Sequence, residues 1–484
     1  MKFLFSFSNS RFVPHIEYVF EHIARLLGIG DFSIHLSGEK KPVEHEDIVI
    51  SYGKKPPALQ TPFIHIAESG LFSEDYLKPE SLPALPLAEW KSLPILFGKK
   101  PDSGDWVDEG ENKIISHIDI IAGIFFLLSR CEELIIQEKD KYGRFPADAS
   151  LLTKAGILHR PIADEYVELL LLWIRKLKPI FERRFPLRDH PFCLYVTHDV
   201  DAPLKYSWKG VLGFRQSLIQ GLSTLLGFKK DPYWNFSELL ALDRKYRVQA
   251  DYFFLAGGTH PLDHPYSLDH PRILGLVRNL HDSGCGIGIH FSLSSHLDLL
   301  EMEKGEDAKE IFEKETSRFR DHVQKLPVGS RQHYLAIKIP ETWRALESAG
   351  IVFDTTAGFA EIPGFRCGTC HPYFPFDAEK ERPLLILEIP LIAMDTTFLH
   401  YMKSSPNKAL EEMESLLLEV EKHHGIFCLL WHNHTLFEED YPGWGECYRR
   451  FLEICRAKNP LLSNPVRYYK QGEEIFTPFP RQAF

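Results

Sequence analysis

From about residue 191 to residue 440, apolar runs of strand length alternate with stretches of helical periodicity, which restricts the chain to folds that lay parallel strands together under a cover of helices. The candidate strands are 192–198, 250–255, 286–290, 332–335, 351–354, 385–389 and 427–431, and helical patterns at 272–282, 308–323, 341–348 and 408–423 follow several of them. About seven such βα units predict an α/β fold in which parallel strands form a closed or nearly closed (β/α) barrel.

In a barrel of this kind the βα loops meet over one end of the packed strands, so chemistry is expected where strands stop. The first candidate strand ends in Thr197, His198, Asp199, Val200 and Asp201, and the third in Gly288, Ile289 and His290. The fourth begins beside Arg331, the fifth ends at Asp354, and the last runs into Trp431, His432, Asn433 and His434. Side chains alternate along a strand, so Asp199 and Asp201 share one face while His198 and Val200 take the other. Two carboxylates that close oppose each other's ionisation unless a cation lies between them, which makes a bound metal their natural partner. Either aspartate could instead cap the following turn. Glycines 284, 286 and 288 lie on the face that carries His290 and are expected to leave a hollow beneath its ring. A lone histidine at a strand end is commonly structural, but beside a paired-aspartate strand it reads as a ligand. His432 and His434 share a face; one of them could protonate a leaving group, and the alternative, a surface pair without a task, suits His434 better than His432.

A chain of 484 residues exceeds one ordinary core, so two domains are expected: 1–188, a smaller α/β unit with a helical connection, and 189–484, the barrel. The first part shows a helix at 13–27, strands at 32–36, 48–52 and 63–66, and helical periodicity over 115–137 and 162–181. The arginines near 130 and 144 are expected in ordinary surface ion pairs rather than against a ligand. A net charge of −11 argues against a nucleic-acid partner, which requires a dominant basic surface. The first twelve residues lack a continuous apolar core, and no apolar run approaches the ~20 residues of a membrane span, so a cytoplasmic protein without a transmembrane segment is expected. Eight scattered cysteines imply no disulfide framework. Cys367, Cys370 and His371 have the spacing of a c-type haem attachment site, but that reading needs an exported, oxidising setting. Residues 204–232 form a long connection with an apolar helical face and lysines at its ends: a lid, a membrane-surface helix, or a helix packed on the barrel rim.

These motifs resemble, over about 191–440, those of the polysaccharide deacetylase family, the NodB homology domain or carbohydrate esterase family four. Thr-His-Asp-Val-Asp at 197–201 is similar to the family's Thr-Phe-Asp-Asp-Gly, and Ala-Asp-Tyr-Phe-Phe at 250–254 to its Ala-Thr-Phe-Phe strand. His290 matches the first histidine of the second motif. Arg-Gln-His-Tyr at 331–334 resembles the third motif, Asp354 stands where the fourth has its aspartate, and Leu-Trp-His at 430–432 resembles the fifth. The whole chain looks like a subgroup with an extra α/β N-terminal domain, on the strength of 129–133, 142–145 and 364–369. The second motif departs from the family pattern, because position 294 is serine and the next histidine, His296, comes two residues late.

The resemblance implies a metal-dependent hydrolase acting on the C–N bond of a linear amide, removing acetyl groups, N-acetyl above all, from an oligo- or polysaccharide. A divalent metal, Zn²⁺ by expectation, would be held by Asp201, His290 and His296, or with water and Ser294 in place of His296. Asp199 would be the base, His432 the acid and Arg331 the residue that orients Asp199, with Tyr334, Asp354, Arg366 and His434 shaping the substrate groove. Two other readings stand beside it: a catalytically silent carbohydrate-binding protein on the same barrel, and an amidohydrolase acting on a non-sugar amide.

Overall fold

The computed structural model describes residues 1–36, 46–183, 190–206, 218–263, 266–302 and 308–466. Two parallel-rich sheets organise them. The first has six strands in the order Phe32–Leu36, Phe3–Phe7, Ile48–Gly53, Phe63–Ala67, Lys113–Ser116, Val107–Glu109, with only the last pair antiparallel. Its second strand is the aromatic run near the N-terminus, an element absent from the expectations above; Phe3, Phe5 and Phe7 are buried there. The helix Val13–Leu27 has the expected bounds. Proline at its start needs no hydrogen-bond partner, and Gly28, at φ 65°, closes its end in the left-handed region that glycine enters freely.

The periodicity at 115–137 does not make one helix. Lys113–Ser116 is a strand, Asp119 caps the helix Ile120–Ser129 by accepting the Ala122 N–H at 2.9 Å, and Arg130 at φ 55° turns the chain into the short helix Cys131–Ile135. Continuous apolar character concealed the break, because every residue from Ile120 to Ser129 is buried. Arg130 and Arg144 are not on the surface either. Arg130 is buried, with Glu132 at 2.6 Å and Glu133 at 2.8 Å.

The second sheet has eight strands, all parallel, in the order Leu387–Glu388, Phe353–Asp354, Ser330–Gln332, Gly286–Phe291, Asp251–Leu255, Cys193–Val200, Ile426–Leu430, Ala393–Met394. Its two edge strands are not paired with each other among the described residues, yet only residues 389–392 separate them in sequence. Five peptide steps reach at most ~18 Å, whereas eight strands laid flat would set their outer members ~34 Å apart at ~4.8 Å per strand. The sheet is therefore curled until its edges approach, an open barrel whose gap is crossed by this short connection. Within it, the Ile389 N–H bonds to the Asp354 carbonyl on one side and the Ile392 N–H to Cys428 on the other. The expected strand at 332–335 is instead Ser330–Gln332 followed by a tight turn, with Tyr334 at φ 61° and Leu335 at φ 54°.

One continuous apolar core runs through both sheets, from Phe3 to Cys455. In the connection 204–232, residues 207–217 lie outside the described residues; the helix Leu218–Leu225 follows them with Ile219 exposed. No helix among the described residues is long and apolar enough to cross a membrane.

Candidate metal centre and active site

Parallel pairing brings the C-terminal ends of neighbouring strands side by side. Asp199 pairs in register with Phe253, and His290 with Arg331, so the polar residues that end these strands open on one cavity. The alternation expected at 197–201 sorts the side chains as predicted. His198 turns outward, its Nδ1 2.6 Å from the Trp431 carbonyl and its Nε2 3.1 Å from Asp243, while Asp199 and Asp201 face His290, whose Nε2 stands 3.7 Å from the one and 3.2 Å from the other.

His290 Nδ1 lies 3.0 Å from the Arg331 carbonyl, which can only accept, so Nδ1 carries the proton and Nε2 is left to face the aspartates. The space beside Gly286 and Gly288 is filled by other side chains. A Cβ on Gly288 would come within 2.4 Å of the Phe253 ring, and one on Gly286 within 2.2 Å of the Asp251 carboxylate. Gly286 and Gly288 make room for these two side chains.

The third member of the cluster is His333. One ligand atom each from Asp201, His290 and His333 lie within 4.8 Å of one another. His333 Nε2 is 3.8 Å from Asp201, and its Nδ1 is 3.1 Å from Asp263, an aspartate that also accepts from the Leu293 N–H and from the Ser294 hydroxyl at 2.7 Å. Ser294 thus holds the residue that orients His333 and does not line the cavity. His296, the expected third ligand, does not line the cavity; it is buried against Gly143 on the helix Leu293–Glu301, and burial pushes its pKa down to about 4. The helix that starts at Leu293 carries it away from the strand ends.

Tested against a divalent cation, the cluster offers one carboxylate and two imidazoles, a donor set suited to zinc. Each imidazole has its far nitrogen held by an acceptor, as ligating histidines require. Asp199 Oδ1 and Asp201 Oδ1 are buried oxygens with no hydrogen-bond partner among the described residues. Burial works to raise the pKa of Asp201, but the surrounding His333, His290 and His432 rings overcome it and hold the carboxyl well below its usual range. The residues fit such an ion.

Two further groups face this cluster. Arg331, fully buried, has its Nε 3.4 Å from Asp199 and donates from Nη2 to the Thr197 hydroxyl at 2.8 Å. His432 has its Nε2 3.4 Å from Asp201 and its Nδ1 2.7 Å from Asp395, which also accepts the His432 N–H and the Thr435 hydroxyl. Burial disfavours the imidazolium, yet the Asp395 and Asp201 carboxylates outweigh it and hold the His432 pKa well above the ordinary value. Asp395 escaped sequence reading because the strand before it, Ala393–Met394, has only two residues.

Tyr334 and His434 line the cavity; burial, with His432 adding to it, pushes the His434 pKa down to about 4. Asp354 and Arg366 do not line it. Asp354 is buried behind the strand ends, accepting the Ser330 hydroxyl at 2.6 Å. Arg366 is buried against the N-terminal region, paired with Glu133 at 2.7 Å and donating to the Gly358 carbonyl. Both are committed to internal partners. Cys370 and His371 are likewise buried, the Cys370 thiol on Asp164 and the His371 ring on the His423 carbonyl.

Among protein families, one described as a family of unknown function (DUF7033) matches residues 4–179, little over a third of the chain. No curated protein matches. Solved structures similar to this chain include a Mycobacterium smegmatis chain assigned as a polysaccharide deacetylase, at 17% identity and TM-score 0.42, covering 60% of this chain and 93% of that one. A PuuE allantoinase is similar at 13% identity and TM-score 0.43, over 62% and 96%. A Pseudomonas aeruginosa PAO1 chain, also assigned as a polysaccharide deacetylase, matches at 14% identity and TM-score 0.40, over 61% and 93%.

Proposed function

We propose that this protein is a metal-dependent hydrolase that removes acetyl groups, N-acetyl above all, from a carbohydrate. The observation that carries the reading is the convergence of Asp201, His290 and His333 on one point, with Asp199 and His432 beside it. Asp201, His290 and His333 would hold the ion, with zinc as the metal. A divalent ion so bound supplies Lewis acidity: it polarises an acetyl carbonyl and brings the pKa of water from ~15.7 towards ~7.

The rest is done by side chains. Asp199 accepts the proton of the attacking water as the new C–O bond forms, and Arg331, its Nε 3.4 Å away, orients that carboxylate towards the cavity. His432, held protonated by Asp395, donates from Nε2 to the amine nitrogen as the C–N bond breaks, releasing acetate and a free amino sugar. A second motif without its histidine at position 294 would fit a silent binding protein. His333 brings a second imidazole to Asp201 and His290, which favours turnover.

The test is acetate release from N-acetylated oligosaccharides, before and after chelation and again after zinc is restored. Release should require the metal, and Asp199→Asn should lose about 10² or more of the rate while keeping the ion. Folded, zinc-loaded protein that frees no acetate from any acetylated glycan would overturn the assignment.

A further inference from the structure

The cavity over the catalytic groups is built from two distant parts of the chain. Lys141 and Tyr142 line it together with Asp199, Asp201 and His290, and they belong to the region, 4–179, that matches the family of unknown function. The turn that carries them is tied down from within. One Asp140 oxygen accepts the N–H groups of Tyr142 and Arg144, both at 2.9 Å, and the other accepts Arg144 Nε at 2.8 Å.

Arg144, only 4% exposed, then reaches across to the barrel. It donates to the Tyr334 carbonyl at 2.5 Å and approaches Glu361 at 3.6 Å. Its guanidinium carbon lies 4.9 Å from the centre of the Tyr142 ring and 5.9 Å from that of Tyr401, so both rings pack against it. The rings of Tyr142 and Tyr334 touch, with centroids 4.9 Å apart and planes 33° from parallel. Tyr334 and Leu335 occupy the left-handed region, which side chains other than glycine enter at a cost that recurs at binding sites. Arg144 braces that turn.

We infer that Tyr142, with Tyr334 and Tyr401, forms a subsite for the sugar ring next to the one that loses its acetyl group, so that the substrate is an oligosaccharide and the N-terminal region is part of its binding site. The inference rests on the deacetylase reading. A pyranose presents an apolar C–H face and a rim of hydroxyls, and clustered tyrosines present apolar ring surface ending in hydroxyls. The cavity, about 590 Å³, lies within the roughly 300–1,000 Å³ of sites that enclose a ligand larger than one small group. Lys141 is exposed, its ammonium 4.8 Å from the Tyr142 ring centre, on a flexible stem that a sugar can displace.

The experiment compares wild type, Tyr142→Ala and Tyr142→Phe on tetra-N-acetylchitotetraose and on N-acetylglucosamine, with calorimetric binding of the tetrasaccharide alongside. Tyr142 is partly exposed in a turn, so folding and zinc content should be unchanged. Tyr142→Ala should raise KM for the tetrasaccharide about tenfold with kcat within about twofold, leave the monosaccharide unaffected, and be largely rescued by Tyr142→Phe. Equal KM on both substrates, or tetrasaccharide binding that Tyr142→Ala leaves intact, overturns the subsite. Tetrasaccharide binding that depends on Tyr142 without any acetate release overturns the deacetylase reading alone, and no binding by wild type overturns the subsite as well.

Discussion

His333 Nε2 stands 3.8 Å from Asp201, with the far side of its ring on Asp263 at 3.1 Å, so a residue from the turn after one strand and a residue from the end of another complete a cluster that His290 begins. The same pattern recurs at His432, whose far nitrogen rests on Asp395 at 2.7 Å. In each case a buried carboxylate fixes which ring nitrogen faces the cavity.

His333→Ala should abolish tight zinc binding, whereas His296→Ala should leave zinc affinity unchanged and cost only stability, by opening a buried space. Asp263→Asn should weaken zinc about 10- to 100-fold, because it loosens the orientation of His333 while leaving all three ligands in place. Competition with a chromogenic chelator measures all three. Equal losses for His333→Ala and His296→Ala would refute the ligand set.

Asp395→Asn should lower kcat by about 10² or more with zinc content intact. Only Asp201 is then left to oppose burial at His432, so its pKa falls and the alkaline limb of the pH–rate profile, where the acid loses its proton, moves to lower pH. An unmoved limb would remove His432 from the role of acid.

Acid should destabilise the N-terminal region through His15 and His22. Burial pushes their pKa values down, to about 4 and about 3. An unfolded chain binds these protons near pH 6.5 and the folded one does not, so stability is complete above 6.5 and declines as pH falls towards 4. Urea unfolding between pH 7.5 and 4.5 should show that slope, and His15→Leu, which places an apolar group among Phe12, Phe72, Tyr76, Phe125 and Phe376, should make it shallower.

Gly288→Ala should destabilise the fold by about 1–3 kcal/mol, since the new methyl would meet the Phe253 ring in a strand buried on both faces. Pairing it with Phe253→Leu should recover part of the loss. Thermal unfolding of the single and double variants measures this; a neutral Gly288→Ala would mean that the strand shifts freely.

The local pattern was sufficient for much of this protein. Period-two and 3.6-residue repeats located the helices 13–27 and 341–348 and six of the eight strands of the large sheet, and alternation along 197–201 placed Asp199 and Asp201 together and His198 apart. Those properties depend on neighbours within a few residues. Three others depend on contacts between segments far apart. A two-residue strand such as Ala393–Met394 has no periodicity of its own, so Asp395 could be assigned only once its neighbours were in place. His296 and His333 are both histidines close to a motif, and what separates them is that a helix carries one away while a left-handed turn, braced by Arg144, directs the other inward. That brace comes from 190 positions away in the chain, and the packing of the N-terminal region against the barrel is what puts Tyr142 at the mouth of the cavity.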